Sequence, residues 1–182
     1  MKAELKFDKK QEESRNSNDR QTPAIKKLAK GIAEMLESET ISEEELTGIN
    51  DIVTKEKQYA KAMDLVERKM PAFRRISKSE AKKNLNAVYA LNNYFYSALS
   101  AKAYARAAKW ANDPHIQELA EVNPYIFHNT ACIYARLGKL DAALDQVKKA
   151  KKFKYSRMDK IASDTELKKL YGNPEFKKAV GK

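Results

Sequence analysis

Alanine followed by a large apolar residue recurs along this chain at a fixed distance from an apolar or aromatic residue. In all three instances the alanine lies nine residues after that residue. The alanine pairs are Ala62-Met63, Ala98-Leu99 and Ala143-Leu144, and the preceding residues are Val53, Tyr89 and Tyr134. Small side chains at repeated offsets indicate closely crossing helices, because they let two backbones approach. The sequence therefore predicts a helix pair that occurs three times.

The composition favours helix almost throughout. The 182 residues include only 5 Gly and 5 Pro, which leaves few of the turns that an all-β protein needs. This length fits one domain with its own hydrophobic core. The single cysteine, Cys132, cannot form an internal disulfide, and no apolar stretch resembles a signal peptide or the roughly 20 residues of a membrane span. We expect an all-α, cytoplasmic protein without a membrane partner.

Turn-forming residues divide the chain into pieces of similar size. The breaks are Met70-Pro71, Asn112-Asp113-Pro114, Asn123-Pro124, Gly138 and Gly172-Asn173-Pro174. They predict repeat-like units at residues 43–77, 79–112 and 124–155, with Ser42 and Glu45 as a capping box before the first unit. The residues predicted to lie between the two helices of each unit are Lys57, Asn93 and Gly138. A left-handed turn at this place is easy for Gly, tolerable for Asn and less suited to Lys.

The two ends of the chain differ from the units. Residues 1–21 mix both charges with little apolar periodicity, which predicts a flexible charged leader. Thr22 and Pro23 are a helix start, so residues 22–39 are predicted to form an amphipathic N-terminal helix. Residues 156–182 are predicted to form a C-terminal cap with Ser163 and Glu166 at capping-box spacing. Residues 22–182 would then be a single helical domain.

The third unit carries a resemblance to a known family. Its small, aromatic and turn residues are Ala131, Tyr134, Gly138, Ala143 and Ala150. In this respect the unit resembles the tetratricopeptide repeats, helix pairs of about 34 residues, although Phe127 and Tyr155 stand where the family has Trp and Pro. The resemblance implies a right-handed superhelical stack of antiparallel helix pairs. It also implies a non-catalytic scaffold or adaptor that binds a protein or peptide in its concave groove.

The resemblance assigns groove positions to the first helix of each pair. In the third unit these are Tyr125, His128, Asn129, Cys132, Ala135 and Arg136. In the second unit they are Glu80, Lys83, Asn84, Ala87, Ala90 and Leu91. The partner-binding residues predicted from these sets are Lys83, Asn84, Tyr125, His128, Asn129 and Arg136. Some family members clamp a peptide's terminal carboxylate, but Ala87 stands here where that clamp needs Asn, so a heat-shock-chaperone adaptor is not expected.

Signatures of catalysis are absent from the sequence. The five glycines form no phosphate loop or dinucleotide fingerprint, and no serine elbow is present. His128 and Cys132 are four residues apart and offer two metal ligands, but His115 is the only other histidine. A structural or groove-lining role is the favoured interpretation of this pair. We therefore expect no enzyme activity, metal or cofactor.

Charge is distributed unevenly along the chain and leaves the partner open. The net charge is +11, with −4 over residues 22–67 and +14 over residues 68–182. This asymmetry favours an acidic protein partner, and it leaves open nucleic acid or mere solubility. A nucleic-acid binder would use the residues Tyr89, Tyr94, Phe95, Tyr96, Tyr104 and Trp110 with Lys102, Arg106 and Lys109. A secretion-type chaperone is a further alternative.

Overall fold

A computed structural model of the chain describes residues 40–181, which fold into helices joined by short turns. The helices are α1 (Glu43–Thr54), α2 (Tyr59–Phe73), α3 (Lys78–Lys83), α4 (Asn86–Ser100), α5 (Tyr104–Ala111), α6 (Pro114–Ala120), α7 (Tyr125–Arg136), α8 (Leu140–Lys152), α9 (Met158–Ser163), the 3-10 helix η1 (Thr165–Leu170) and α10 (Pro174–Val180). Residues 40–181 contain no strand, so the all-α prediction is confirmed for them. The predicted leader and N-terminal helix, residues 1–39, lie outside the described residues.

Three longer helix pairs organise this part of the chain. They are α1 with α2, α4 with α5, and α7 with α8, and α4 packs against both α1 and α7. Helices α1 and α4 run in the same direction, because Asn86 contacts the carbonyl of Ile41 near their starts and Asn93 contacts Asn50 further along both. The three first helices therefore form a layer with α4 in contact with both others.

Left-handed residues close the turns within the pairs. They are Lys57, Lys102 and Gly138, with φ values of 54°, 56° and 74°. After Lys102 the amide of Ala103 donates to the carbonyl of Ala98, and after Gly138 the amide of Lys139 donates to Tyr134, each over 2.9 Å. These bonds satisfy carbonyls at the helix ends. The prediction for Gly138 is confirmed.

The prediction for the second turn is wrong. Asn93 lies in the middle of α4, which runs without interruption to Ser100, and the turn falls nine residues later at Lys102. A fully buried alanine lies five residues after each turn residue. These alanines are Ala62, Ala107 and Ala143. Ala107 therefore takes the place in the second pair that the sequence pattern assigned to Ala98. Ala98 is also buried, but on the first helix of its pair.

Proline has different consequences at its different positions. The predicted break at Met70-Pro71 is wrong, because α2 continues through Pro71 to Phe73. Asp113, by contrast, caps α6 with Pro114 at its first turn, as the break signal indicated. This short helix accounts for the additional residues between the second and third pairs.

The segments that join successive pairs are tied to each other. Arg74 forms an ion pair with Asp113, and Lys78 forms one with Glu121. The ring of His115 hydrogen-bonds to the carbonyl of Ile76 over 2.7 Å. The helix pairs are thus held together at their connections as well as along their helices.

The C-terminal elements cover the last pair. Helix α10 packs on α8, and η1 packs on α7. Asn173 caps α10 with Pro174 in its first turn, but η1 is capped by Asp164 and not by Ser163. Ser163 instead ends α9, and its hydroxyl donates a hydrogen bond to the backbone carbonyl of Asp159. Asp164 is the N-cap because its carboxylate accepts a hydrogen bond from the amide of Glu166, and a negative charge is favourable at the start of a helix.

Between residues 40 and 181, no helix combines the length and the apolar character needed to cross a bilayer.

Candidate partner-binding face and the neighbouring polar cluster

Exposed large hydrophobic side chains are concentrated on α4 and the start of α7. Within residues 40–181 they are Leu85, Tyr89, Tyr96 and Tyr125, with exposed fractions of 37%, 47%, 45% and 45%. Leu85, Tyr89 and Tyr96 follow helical spacing along one side of α4. All four therefore lie on, or directly before, two helices that pack together.

Asparagine side chains join this region across the first helices. Asn93 donates to Asn50 of α1 over 2.5 Å, and Asn129 of α7 donates to Asn92 over 3.0 Å. Each pair leaves hydrogen-bonding groups of both amides available, since an amide has two donors and an acceptor with two lone pairs. We call the surface formed by Tyr89, Asn92, Asn93, Tyr96, Tyr125 and Asn129 the tyrosine–asparagine face.

The tyrosines of this face are supported by neighbouring rings. Tyr96 packs edge-on against Tyr59 with ring centroids 6.2 Å apart, and Tyr125 packs edge-on against Tyr155 at 4.8 Å. Such contacts fix a ring on one side and leave the other side open. The face is therefore largely arranged before any partner binds.

The predicted site residues divide into two groups. Tyr125 and Asn129 lie on the face, and Arg136 is exposed at the other end of α7, where it pairs with Glu166 over 2.8 Å. Lys83 ends α3, and Asn84 accepts a hydrogen bond from the amide of Asn86. The predicted groove residues Ala87, Ala90 and Leu91 are buried, so they cannot line an open groove.

With the second turn at Lys102, four surface residues of α4 take positions equivalent to groove residues of α7, and none of them was among the predicted partner-binding residues. In α7, the residues Tyr125, His128, Asn129 and Cys132 lie 13, 10, 9 and 6 residues before Gly138. The same distances before Lys102 lead to four residues of α4. They are Tyr89, Asn92, Asn93 and Tyr96, all exposed or half-buried. Tyr89, which the repeat pattern placed in register with Val53 and Tyr134, is exposed, whereas those two residues are buried. The sequence contains these distances, but they identify the four residues only when the turn is placed at Lys102.

Most of the aromatic residues named for a nucleic-acid binder cannot stack on bases, because their rings are buried or covered by neighbouring side chains. Tyr94 and Phe95 are fully buried, and Arg74 lies over the ring of Trp110 at 5.1 Å. Arg106 is held by Asp64 and Glu67. Of this set, only Tyr89 and Tyr96 have strongly exposed rings.

Lysines without acidic partners mark the C-terminal end of the described chain. Five carboxylates there have basic partners: Asp145 with Lys149, Asp159 with Arg157, Asp164 with His128, Glu166 with Arg136, and Glu175 with Lys148. Within residues 150–181, the exposed lysines with no ion pair are Lys151, Lys152, Lys154, Lys160, Lys168, Lys169, Lys177 and Lys178. We call these eight residues the basic end. It leaves a surplus of positive charge beyond α7.

A small cleft lies between α7 and η1, at the edge of the basic end. Its volume is about 220 Å³. Its lining residues are Ala135, Arg136, Thr165, Glu166, Lys168 and Lys169. The Arg136–Glu166 pair occupies one side of it, so the cleft is polar and not a pocket for an apolar ligand.

His128 connects α7 to the C-terminal elements. Its Nδ1 lies 2.9 Å from the Tyr155 hydroxyl, and its Nε2 lies 2.8 Å from a carboxylate oxygen of Asp164. The Cys132 thiol, one turn further along α7, lies 3.5 Å from the same oxygen. The other oxygen of Asp164 accepts the amide of Glu166 over 2.9 Å. We call His128, Cys132 and Asp164 the α7–cap cluster.

The electrostatics of this cluster follow from its contacts. The hydrogen bond from His128 lowers the pKa of Asp164 despite partial burial, so this carboxylate is ionised at neutral pH. Burial, and then the charge of Asp164, raises the pKa of the Cys132 thiol well above its usual range. Burial likewise raises the pKa of Tyr155 to about 12. The thiol is therefore neutral and not a ready nucleophile.

No known protein family, characterised protein or solved structure matches this chain.

Proposed function

We propose that this chain is a non-catalytic interaction module that binds a segment of another protein through the tyrosine–asparagine face. The observation that carries this proposal is where the exposed large hydrophobic side chains of residues 40–181 lie. Leu85, Tyr89 and Tyr96 are on α4 or directly before it, and Tyr125 is on α7. Scattered apolar residues are ordinary on a protein surface, whereas a contiguous group marks an interaction site.

The chemistry of the face suits a peptide segment. Tyrosine supplies a large, rigid contact area with little loss of side-chain entropy, and it is enriched at binding hot spots. The amides of Asn92, Asn93 and Asn129 can bond to a peptide backbone, whose N–H and C=O groups need partners when buried. Because the rings are already supported by Tyr59 and Tyr155, little ordering is required on binding.

We infer that the partner segment combines apolar with acidic side chains. Lys168 and Lys169, which have no ion pair among the described residues, lie around the cleft beside the Arg136–Glu166 pair, at the end of α7 beyond Asn129. Charge complementarity at this end would orient the segment and accelerate association. A neutral or basic segment would gain only the contacts with the tyrosines.

We further propose that the helix pairs stack as in the tetratricopeptide repeats, in a right-handed superhelix with the face on its concave side. The shared layer of α1, α4 and α7 and the left-handed turn residues support this arrangement. A protein of this kind acts as a scaffold or adaptor without chemistry of its own.

The test begins with capture of a partner and ends with a measured affinity. A protein captured from the source lysate after nuclease treatment is purified and titrated against the wild-type chain. It is then titrated against the double variant Tyr89→Ala/Tyr96→Ala, for which we expect at least a tenfold weaker affinity, since an exposed hot-spot tyrosine contributes about 1–2 kcal/mol.

The matched control is Lys61→Ala/Lys109→Ala, which alters two exposed residues on second helices. Circular dichroism melting should be nearly unchanged in both double variants. If the tyrosine variant binds as tightly as the wild type, the face is not the binding site and the proposal fails.

A nucleic-acid-binding function is the second candidate, and the basic end favours it. Eight exposed lysines without carboxylate partners can neutralise phosphates. Binding of this kind would weaken steeply with salt and would be reduced by Lys168→Glu/Lys169→Glu, with Tyr89→Ala/Tyr96→Ala having a smaller effect. Loss of all captured material on nuclease treatment would favour this candidate over the peptide-binding one.

A further inference from the structure

The α7–cap cluster brings three different metal-ligating atoms together. One ring nitrogen of His128, Sγ of Cys132 and a carboxylate oxygen of Asp164 all lie within 4.8 Å of one another. His128 and Cys132 are one helical turn apart on α7, while Asp164 comes from the N-cap of η1. Two elements therefore direct nitrogen, sulfur and oxygen donors at one point.

Two of the three separations lie near those of a tetrahedral zinc site, and the nitrogen-to-sulfur separation, at most 4.8 Å, would close by up to about 1 Å on binding. With bonds of about 2.0–2.3 Å to zinc, tetrahedral ligand atoms lie about 3.3–3.7 Å apart. The distance from Sγ to the Asp164 oxygen is 3.5 Å, within that range. The distance from Nε2 to the same oxygen is 2.8 Å, so a widening of about 0.5 Å would admit the ion.

The surroundings hold the ligands in orientation. The Tyr155 hydroxyl contacts Nδ1 of His128, which leaves Nε2 directed at the other donors. The amide of Glu166 holds the second oxygen of Asp164, and the Tyr171 hydroxyl donates to the carbonyl of Asp164 over 2.9 Å. Hydrogen bonds of this kind to the far side of a ligand are typical of metal sites, where they fix the ring tautomer and the carboxylate.

We propose that His128, Cys132 and Asp164 form a Zn²⁺ site whose fourth position is open to water. The mixed nitrogen, sulfur and oxygen donor set suits zinc, whereas Mg²⁺ and Ca²⁺ take oxygen donors. The side chains of His128 and Asp164 are 15% and 24% exposed, which gives solvent access to the fourth position. This proposal departs from the sequence expectation of no metal, because the third ligand lies in the capping segment.

Binding rearranges a small number of protons. The thiol proton of Cys132 leaves to solvent as the sulfur–zinc bond forms. Nε2 of His128 binds zinc through its lone pair, so the ring carries its proton on Nδ1 and donates it to the Tyr155 oxygen. The Tyr155 hydroxyl, a donor to that nitrogen in the metal-free neutral ring, becomes an acceptor. The thiol is the source of the one proton released for each ion bound.

The experiment measures metal binding directly. The protein is freed of metal with a chelator and titrated with Zn²⁺ in competition with a chromophoric chelator, and proton release is followed in weak buffer. In parallel, Co²⁺ is added as a spectroscopic substitute. We expect one Zn²⁺ per chain, release of one proton, and a near-ultraviolet absorption band from a thiolate bound to cobalt.

Two variants and a control assign the ligands. Asp164→Asn keeps an oxygen that can cap η1, and Cys132→Ser keeps the size of the side chain. Each is expected to weaken Zn²⁺ binding at least tenfold, while His115→Gln, which changes the histidine outside the cluster, leaves it unchanged. Absence of saturable binding by the wild type, or binding without the thiolate band, would overturn the proposal and leave the cluster a hydrogen-bonded contact. The wild-type cobalt spectrum decides the matter even where a variant fails to fold.

Discussion

The hydroxyl of Tyr94, fully buried on α4, donates a hydrogen bond to the carboxylate of Glu67 on α2. Arg106 of α5 donates to both oxygens of the same carboxylate, over 3.0 and 2.6 Å. One acidic side chain thereby joins a first helix to two second helices. Burial favours the neutral form of Glu67, but the bonds from Arg106 and Tyr94 outweigh it and lower its pKa.

We predict that Glu67→Gln destabilises the fold by about 1–2 kcal/mol at neutral pH, because hydrogen bonds to a charged group are replaced by weaker ones. A carboxylate with a lowered folded-state pKa stabilises the fold fully above its unfolded value of about 4.3. That contribution is lost as the pH falls through the folded-state pKa. The difference between variant and wild type should therefore shrink toward pH 3. Urea denaturation at pH 7 and pH 3 measures it, with the exposed Glu56→Gln as control. An equal difference at both values would contradict the charged interaction.

Ser97→Ala is predicted to leave stability unchanged or to raise it by up to about 1 kcal/mol. The hydroxyl of Ser97 is buried without a hydrogen-bond partner among residues 40–181, and an unsatisfied buried polar group is unfavourable. Thr130→Val provides the contrast, since the Thr130 hydroxyl lies 2.9 Å from the carbonyl of Ile126 and 3.1 Å from Gln146. This second variant should lose about 1 kcal/mol. Thermal and chemical denaturation of both variants measure the difference, and a destabilising Ser97→Ala would show that its hydroxyl has a partner in solution.

Lys102→Gly is predicted to stabilise the fold by up to about 1 kcal/mol. Lys102 has a positive φ of 56°, a conformation that is unfavourable for residues with a Cβ and free of that penalty for glycine. Lys109→Gly, on an exposed position of α5, should instead destabilise by about 1 kcal/mol because glycine is a poor helix former. Opposite changes in the midpoint of urea unfolding are the expected result. The same sign in both variants would place the left-handed turn elsewhere.

Ala107→Leu is predicted to destabilise the fold by about 1–3 kcal/mol, as is Ala143→Leu, because each alanine is fully buried and a larger side chain overpacks its surroundings. Ala105→Leu, on the exposed side of the same helix as Ala107, should change stability little. Melting temperatures of the three variants test the corrected position of the second pair. A neutral Ala107→Leu would contradict the close contact at that alanine.

Local chemistry was the part of the fold that the sequence predicted. Ser42 forms its capping box with Glu45, Asp113 and Asn173 cap helices that begin with proline, and Gly138 adopts the left-handed turn. In each case the residue type has a physical preference for the place it occupies. These features could be predicted because they depend on a few neighbouring residues.

The turn at Lys102 could not be predicted in the same way. Lysine has no preference for positive φ, and asparagine, which tolerates it, stands nine residues earlier in the middle of α4. Burial of Tyr94, Phe95 and Ala98 favours continuation of that helix through Asn93. Tertiary packing thus overrode the local preference, and the predicted groove residues of the second unit were displaced with it.

The candidate sites show the same division. Tyr125 and Asn129 were assigned to the groove by the resemblance to the tetratricopeptide repeats, in a unit whose turn at Gly138 the sequence identifies, and their role in binding stays a prediction. The contact between His128 and Asp164 spans 36 residues and depends on how η1 packs against α7. Neither periodicity nor spacing contains that information, so the cluster is evident only in three dimensions.

Cys132 is the only cysteine of the chain, and it is buried where α7 meets the capping segment. A thiol reagent can reach its sulfur only when that contact opens, so the rate of modification in native buffer reports how often the end of the molecule separates from the rest. Compared with the rate in denaturant, it gives the free energy of this local opening. The chain therefore contains a single-site probe of its own fraying that needs no engineered label.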